Sequence, residues 1–359
     1  MTLKLSDYGY TILMIETKMV CNMQCTFCAY PLMEAIGAEL PTQDVYRIID
    51  SIDPSDSRFD EIYFQKYNEP LLDKRICDFI KYAKNRGFKV QIITNGLLFQ
   101  SKEIRDQLLA SEPTHILISL QVIDKNNFAG SRGTSCSFEG YKKGIFMFLE
   151  ESLRSNSSSI ITVDVACNFL SDDRIFSKTG KITRILGLER GDPAVPDSVQ
   201  DIEDDLIDFL KDLHTYNASF AYDADTIRRY LKNVDPDYLS QAGLPVARNI
   251  SVKIKKFIHG RKLTEFYPVL KSPGCTTGML SVDANGSVAP CCLAYGDMLS
   301  LGNIKQDSLK NILEKSARLV GRIRTGKNMP EICLKCNGEP TRRGSLVASL
   351  YWTMRGWLR

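Results

Sequence analysis

The segment that decides the fold spans residues 11–28 and has the sequence TILMIETKMVCNMQCTFC. Its apolar run, TILMIE (11–16), predicts a buried strand. The N-terminal cysteine triplet, Cys21, Cys25 and Cys28, follows in one loop, and three thiolates so spaced can converge on one metal centre. Zinc needs a fourth ligand, normally Cys or His, and none lies within 40 residues after the triplet. Three ligands fit a 4Fe–4S cluster with one open iron, and zinc completed by a distant residue is the alternative.

Outward from this segment, apolar runs alternate with amphipathic stretches, which predicts repeated β–α units. Further strands are predicted at EIYFQ (61–65), KVQIIT (89–94), HILISL (115–120) and IITVDVA (160–166), with helices at 42–52, 73–86, 101–110 and 137–153. The strands are rich in Ile and Val without clean alternation, which is typical of a parallel sheet covered on both faces. We therefore expect a full or partial α/β barrel with its site at the carboxyl ends of the strands. Between about 170 and 260 only an acidic surface helix, within 192–212, is predicted.

Composition restricts the class of protein. The chain has 359 residues, of which 43% are hydrophobic and 25% charged, and its net charge of +3 gives no reason to expect nucleic acid or an acidic membrane as partner. It has no apolar run of about 18 residues and no signal-peptide pattern at its start, so we expect a cytoplasmic protein without a membrane partner. In that reducing compartment eleven cysteines indicate metal ligands or catalytic groups, while only three histidines argue against a His-based metal hydrolase.

The C-terminal part carries a second group of cysteines. MLSVDANGSVAPCC (279–292) predicts a hairpin around Asn285-Gly286, and residues 308–326 predict a helix that returns the chain towards it. The C-terminal cysteine set can thereby come together and hold either zinc or an iron–sulfur cluster, between which the spacing does not decide. Its members are Cys275, Cys291, Cys333 and Cys336.

The CxxxCxxC pattern resembles that of the radical S-adenosylmethionine (radical SAM) enzymes. In both, the pattern follows the first strand of the barrel, and an aromatic residue, here Phe27, precedes the last cysteine. The resemblance covers at least residues 10–170. It implies a partial (β/α)6-type barrel over residues 1–250, followed by a smaller domain over 251–359. It also implies a 4Fe–4S cluster on the triplet, whose open iron chelates the amino and carboxylate groups of SAM. In this family the reduced cluster cleaves SAM to methionine and a 5′-deoxyadenosyl radical.

Other residues match the positions at which this family contacts SAM. Glu69, in the segment YFQKYNEPLLD (63–73), is similar to the acid of the family's Gly-Gly-Glu-Pro segment, which contacts the SAM amino group. Tyr67 and Asn68 stand where two glycines are usual. The resemblance further implies cofactor contacts from Phe27, Asn95, Ser119 and Arg132. The Arg132 guanidinium suits the SAM carboxylate because its planar fork can bind both oxygens.

The C-terminal segments CTTGMLSVDANGSVAPCC, LGNIKQDSLKNILE and MPEICLKC resemble the SPASM and twitch extensions of radical SAM enzymes. With only four suitable ligands, the chain is similar to the shorter twitch type, which implies one auxiliary 4Fe–4S cluster, fully ligated by thiolates and suited to electron transfer. Cys292 directly follows a predicted ligand and is the candidate catalytic thiol facing the active-site cavity.

These resemblances predict an enzyme that uses SAM and two 4Fe–4S clusters to oxidise a small polyol, amino sugar or aminocyclitol by two electrons. The alternatives are an epimerase with Cys292 as hydrogen donor, and modification of a peptide or protein side chain. The triplet begins at residue 21, which leaves no room before it for a leader-peptide domain and favours the small substrate. A flavodoxin- or ferredoxin-type reductant is expected. A non-catalytic electron carrier is the competing class, and it would have no use for Glu69, Ser119 and Arg132.

Overall fold

The fold is described from a computed structural model. The residues it describes are 2–167, 195–196, 199–234, 242–257, 260–272, 274–275, 278–339 and 341–357.

Ten strands in the described part of the chain form one sheet, in the order β10-β9-β8-β1-β2-β3-β4-β5-β7-β6. Their bounds are β1 Ile12–Ile15, β2 Glu61–Tyr63, β3 Val90–Thr94, β4 His115–Gln121, β5 Ile160–Cys167, β6 Leu244–Ala247, β7 Ile250–Lys256, β8 Met279–Val282, β9 Ser287–Ala289 and β10 Gly302–Asn303. The five strands predicted from the sequence are confirmed as β1 to β5, and they pair in parallel in chain order. Strand β7 extends this parallel sheet beside β5, and β6 pairs antiparallel with β7.

Helices cover the parallel sheet because their apolar faces need burial. Their bounds are α1 Thr42–Ser51, α2 Ile76–Asn85, α3 Lys102–Ser111, α4 Lys125–Arg132, α5 Phe138–Arg154, α6 Glu203–Tyr216, α7 Ala224–Lys232, α8 Lys262–Glu265, α9 Leu309–Thr325, α10 Glu331–Cys336 and α11 Arg342–Trp357. Several begin at a serine whose hydroxyl accepts a hydrogen bond from the first turn, as Ser101 does for α3 and Ser308 for α9. No described helix is long and apolar enough to cross a bilayer.

The predicted acidic helix corresponds to α6, which begins later than the predicted segment and ends four residues beyond it. Its apolar residues Leu206, Phe209, Leu210 and Leu213 are buried, while its acidic residues begin the helix, where negative charge is favourable. Part of the predicted segment before residue 199 lies outside the described residues.

The C-terminal hairpin joins the barrel sheet directly. Strand β8 pairs in parallel with β1, with Ile12 opposite Met279, and β9 returns antiparallel to β8 around the predicted Asn285-Gly286 turn. Gly286 has a φ of 90°, which a glycine adopts without strain. The predicted boundary after residue 250 falls at the start of β7, a strand that pairs with the barrel strand β5. The sheet thus places the loops after β1, β2 and β8 side by side.

Candidate active site

The N-terminal cysteine triplet lies in the loop after β1. Cys25 is buried, and Cys21 and Cys28 are half-buried against the same apolar core. Burial raises the pKa of the Cys21 thiol to about 12 and that of Cys28 to about 11, and the other thiols of the triplet act in the same direction. Such thiols stay protonated at neutral pH unless a metal centre binds them, because coordination removes the proton.

Glu69 lies at the carboxyl end of β2, and its side chain is bound by the end of β3. Its carboxylate accepts hydrogen bonds from the Asn95 N–H (2.6 Å), the Thr94 hydroxyl (2.8 Å) and the Leu71 N–H (3.1 Å). The residue is only 1% exposed, and burial raises its pKa to about 7 although these hydrogen bonds lower it. A cation beside this carboxylate would favour its ionised form.

Asn95 connects β3 to the triplet loop. Its side-chain amide donates to Asn22 Oδ1 (2.7 Å) and lies 3.8 Å from Cys21 Sγ. The hydroxyl of Tyr141, on α5, donates to the Asn95 carbonyl oxygen at 2.5 Å. Sequence reasoning missed Tyr141, because a tyrosine within a helix carries no motif. Asn95 is therefore held where it can donate to a ligand sulfur, a contact that tunes iron–sulfur clusters.

Arg132 and Ser119 lie beside Phe27. The Arg132 Nη2 donates to the Ser119 carbonyl oxygen (3.0 Å), and its guanidinium carbon lies 5.8 Å from the centre of the Phe27 ring. Arg132 is 3% exposed, and its Nε has no hydrogen-bond partner among the described residues. Gln121, a residue at φ 61° that sequence reasoning missed, donates to the Ser119 hydroxyl at 2.6 Å. A buried N–H without a hydrogen-bond partner costs free energy, so the Arg132 Nε is suited to donate to a bound acceptor.

The C-terminal cysteine set comes together as predicted. Its four members pack in one small apolar cluster, with Cys333 buried on α10. The Cys275 N–H donates to the Ile323 carbonyl oxygen on α9, so this helix fixes the start of the set. Burial raises the pKa of the Cys333 thiol to about 12, and the Cys291 and Cys336 thiols add to the shift.

The Cys292 thiol lies close to this set. It donates a hydrogen bond to the Cys291 sulfur, which lowers the pKa of Cys291 and raises that of Cys292. The Cys336 and Cys275 thiols also raise the pKa of Cys292. The catalytic role of Cys292 stays a prediction. Its thiol also lies close enough to the set to be an alternative ligand of an auxiliary cluster.

The two cysteine groups are connected by the end of β2, a feature that sequence reasoning missed. The Tyr67 ring packs in an apolar cluster against Cys21 and Cys28. Its hydroxyl donates to the Leu293 carbonyl oxygen (2.7 Å), in the loop that follows Cys291. Tyr67 therefore touches the surroundings of both groups.

The comparisons with known proteins agree with this geometry. The model of the radical SAM superfamily matches residues 15–164, and the model of the SPASM iron–sulfur cluster-binding domain matches residues 275–337. The chain therefore carries a radical SAM domain followed by a C-terminal SPASM domain. Its first domain binds SAM and a 4Fe–4S cluster, and its SPASM domain binds auxiliary iron–sulfur clusters.

Individual relatives are distant. The structure of native anSMEcpe with bound AdoMet is 15% identical, with 97% of this chain and 98% of that chain covered and a TM-score of 0.50. Streptococcus suis SuiB bound to the precursor peptide SuiA is also 15% identical, with 92% and 78% covered and a TM-score of 0.50. A tungsten-containing aldehyde ferredoxin oxidoreductase cofactor-modifying protein of Pyrococcus furiosus is 28% identical over 97 residues. That match spans 26% of this chain and 26% of the relative, so it supports the fold family and not a shared activity.

The residues present fit these cofactors. Each cysteine group brings together thiols near enough to shift one another's pKa, and thiolates are the usual ligands of iron–sulfur clusters. The buried Arg132 Nε, which has no partner among the described residues, is a free donor of the kind that the predicted contact with the SAM carboxylate requires.

Proposed function

We propose that this radical SAM enzyme oxidises a small polyol, amino sugar or aminocyclitol by two electrons, turning an alcohol carbon into a carbonyl. When bound, SAM and its cluster supply the radical chemistry that removes a hydrogen atom, and an auxiliary cluster on the C-terminal cysteine set supplies an acceptor for the second electron. The protein's own residues bind the substrate, exclude water and accept the remaining proton.

The observation that carries the proposal is that one residue, Tyr67, contacts the surroundings of both cysteine groups. Tyr67 is buried between them, packing on the triplet side and hydrogen-bonded to Leu293 on the other. Its pKa is raised by burial and then by the Cys292, Cys28 and Cys291 thiols, which lie around it. An electron acceptor adjacent to the SAM site is what oxidation requires and what a redox-neutral isomerisation does not.

A group of polar side chains on one face of the barrel sheet supports a small hydrophilic substrate. Asp164 on β5 is opposite Ser119 on β4, so the two side chains lie on one face of the sheet. Asp164 is fully buried and forms an ion pair with the ammonium of Lys255 on β7 at 3.0 Å, and the Lys255 side chain is 21% exposed. Hydroxyl and amino groups of a polyol or aminocyclitol are suitable partners for such a pair.

The test is an anaerobic incubation of reconstituted protein with SAM, a one-electron reductant and a panel of polyols, amino sugars and aminocyclitols. We expect a product lighter by two hydrogens, one 5′-deoxyadenosine per product, and transfer of deuterium from the labelled carbon into 5′-deoxyadenosine. Deoxyadenosine formation only with a peptide substrate would contradict the small-molecule assignment. Absence of deoxyadenosine under all conditions would indicate an electron carrier.

The Cys292→Ala variant separates oxidation from epimerisation. An epimerase needs a hydrogen-atom donor on the opposite face of the substrate, and a thiol is the suitable side chain. We expect Cys292→Ala to keep its iron and to form the oxidised product. The matched control is Cys77→Ala, at a half-buried cysteine on α2, and it should behave in the same way. Loss of turnover in Cys292→Ala alone, together with one solvent deuterium in the wild-type product, would show that the enzyme is an epimerase.

A further inference from the structure

A buried ion pair joins the barrel to the C-terminal hairpin. The Lys66 ammonium, just after β2, contacts the carboxylate of Asp283 in the hairpin turn, and the two side chains are only 1% and 2% exposed. The same ammonium donates to the Ser281 hydroxyl (3.1 Å), which in turn donates to the Cys291 carbonyl oxygen (3.0 Å). A hydrogen-bonded chain therefore leads from a buried positive charge to the backbone of a predicted cluster ligand.

A second chain begins at the next residue. The Tyr67 hydroxyl donates to the Leu293 carbonyl oxygen (2.7 Å), and the Leu293 N–H donates to the Cys291 sulfur (3.2 Å). The Tyr67 ring is fixed by edge-to-face packing on Tyr295, with ring centres 5.7 Å apart. The two residues after β2 thus reach Cys291 at two points: Lys66 through Ser281 at its carbonyl oxygen, and Tyr67 through Leu293 at its sulfur.

We propose that Lys66 and Tyr67 are positioning residues that set the electron affinity of the auxiliary cluster ligated by Cys291. Lys66 acts through its positive charge, and Tyr67 acts by holding the loop whose N–H donates to the ligand sulfur. The proposal requires Cys291 to be a cluster ligand and is independent of the substrate and of the reaction.

The physical reason is the charge of the cluster itself. Reduction adds a negative charge, so a buried ammonium nearby stabilises the reduced form, and hydrogen bonds to the ligand sulfurs act in the same direction. The Asp283 carboxylate opposes the ammonium, so the two partners should have opposite effects.

The experiment is a potentiometric titration of full-length reconstituted enzyme, followed by electron paramagnetic resonance. The triplet cluster is identified as the one whose signal changes on addition of SAM, and the other signal is followed. We expect Lys66→Met to move the midpoint potential of this second signal to more negative values and Asp283→Asn to move it to more positive values. Tyr67→Phe keeps the ring packing and should give a smaller negative shift with an altered line shape.

The control variant is Lys142→Met. Lys142, on α5, is also largely buried and ion-paired, with Glu139 and Asp212, but it lies outside both cysteine groups. Opposite shifts in the Lys66 and Asp283 variants, with none in Lys142→Met, would support the proposal. Shifts of the same sign, an equal shift in the control, or unchanged potential and line shape in Tyr67→Phe would overturn it. Zinc in place of iron at the C-terminal set would overturn it together with the ligand assignment, whereas a wrong substrate would leave every measurement intact.

Discussion

Replacing Glu69 by Gln tests whether the end of β2 binds SAM. Within the described part of the chain the carboxylate accepts three hydrogen bonds, and its Oε2 accepts one of them, from the Asn95 N–H. It therefore keeps capacity for one more donor, which we expect to be the SAM amino group. A hydrogen bond to a charged group contributes about 1.5–3 kcal/mol, which corresponds to a roughly 10- to 150-fold weaker SAM affinity in Glu69→Gln.

The same variant makes a pH prediction. Burial raises the pKa of Glu69 to about 7, so the carboxyl group is mostly protonated at pH 6 and mostly ionised at pH 8. SAM binding through the ionised form should therefore strengthen about tenfold across this range because of Glu69. Titration of SAM itself is common to wild type and variant. The ratio of the two dissociation constants, variant over wild type, should consequently rise about tenfold from pH 6 to pH 8.

The assay is anaerobic equilibrium dialysis with labelled SAM on iron-loaded protein at three pH values. Glu61→Gln is the matched control, because Glu61 is also buried but pairs with His115 at the opposite end of β2. It should bind SAM as wild type does. An affinity within twofold of wild type in Glu69→Gln at pH 8, or a ratio that does not change with pH, would refute the assignment of Glu69 as the acceptor for SAM.

Three further predictions concern the cofactors and the fold. Reconstituted protein should bind about eight irons, and replacing the N-terminal cysteine triplet by Ala should remove about half of them and abolish deoxyadenosine formation; zinc in the remaining site would contradict this. Arg132→Lys should weaken SAM binding roughly tenfold without changing the iron content, because it loses the planar fork, and equal affinity would exclude a carboxylate contact. Burial raises the pKa of Glu16 from 4.5 to about 7, so the fold favours the protonated acid. Between those pH values Glu16 should lower the free energy of unfolding by about 3 kcal/mol as pH rises, so denaturant titration of Glu16→Gln should show a loss smaller than that of wild type by about this amount.

Local sequence patterns were sufficient for the first half of the barrel. Strands β1 to β5 are apolar runs, and each of β1 to β4 is followed by a helix whose apolar side is buried, so composition and periodicity act together. Strand β7, ISVKIKK, alternates lysine with apolar residues and follows a region without clear period, so the sequence did not identify it as the next parallel strand. Its place in the sheet depends on pairing with β5, which lies about ninety residues earlier.

The candidate site shows the same division. The cysteine groups can be recognised in the sequence because the spacing within each motif is local. The two residues that bind the Glu69 carboxylate, Thr94 and Asn95, lie instead at the end of another strand, β3. Arg132 is placed beside Phe27 by backbone pairing of the triplet loop with the end of α4, where the Gln24 N–H donates to the Arg132 carbonyl oxygen. No pattern in the sequence predicts that pairing, because it joins segments more than a hundred residues apart.

The departure from the family's two glycines at Tyr67 and Asn68 is explained by the same long-range pairing. Glycine lets the backbone approach a ligand closely, and two larger residues at this point call that close approach into question. In the structure the Tyr67 N–H donates to the buried Glu16 carboxylate (3.1 Å), and the Tyr67 hydroxyl donates to the Leu293 carbonyl oxygen in the loop after Cys291. The Asn68 side chain accepts a hydrogen bond from the Lys66 N–H (3.0 Å) and closes the turn locally. Because β8 adds to the edge of β1, the hairpin loop lies where the Tyr67 side chain can reach it. A substitution within a motif should therefore be judged by the partner that the fold brings to it, and here that partner is the loop of the second cysteine group.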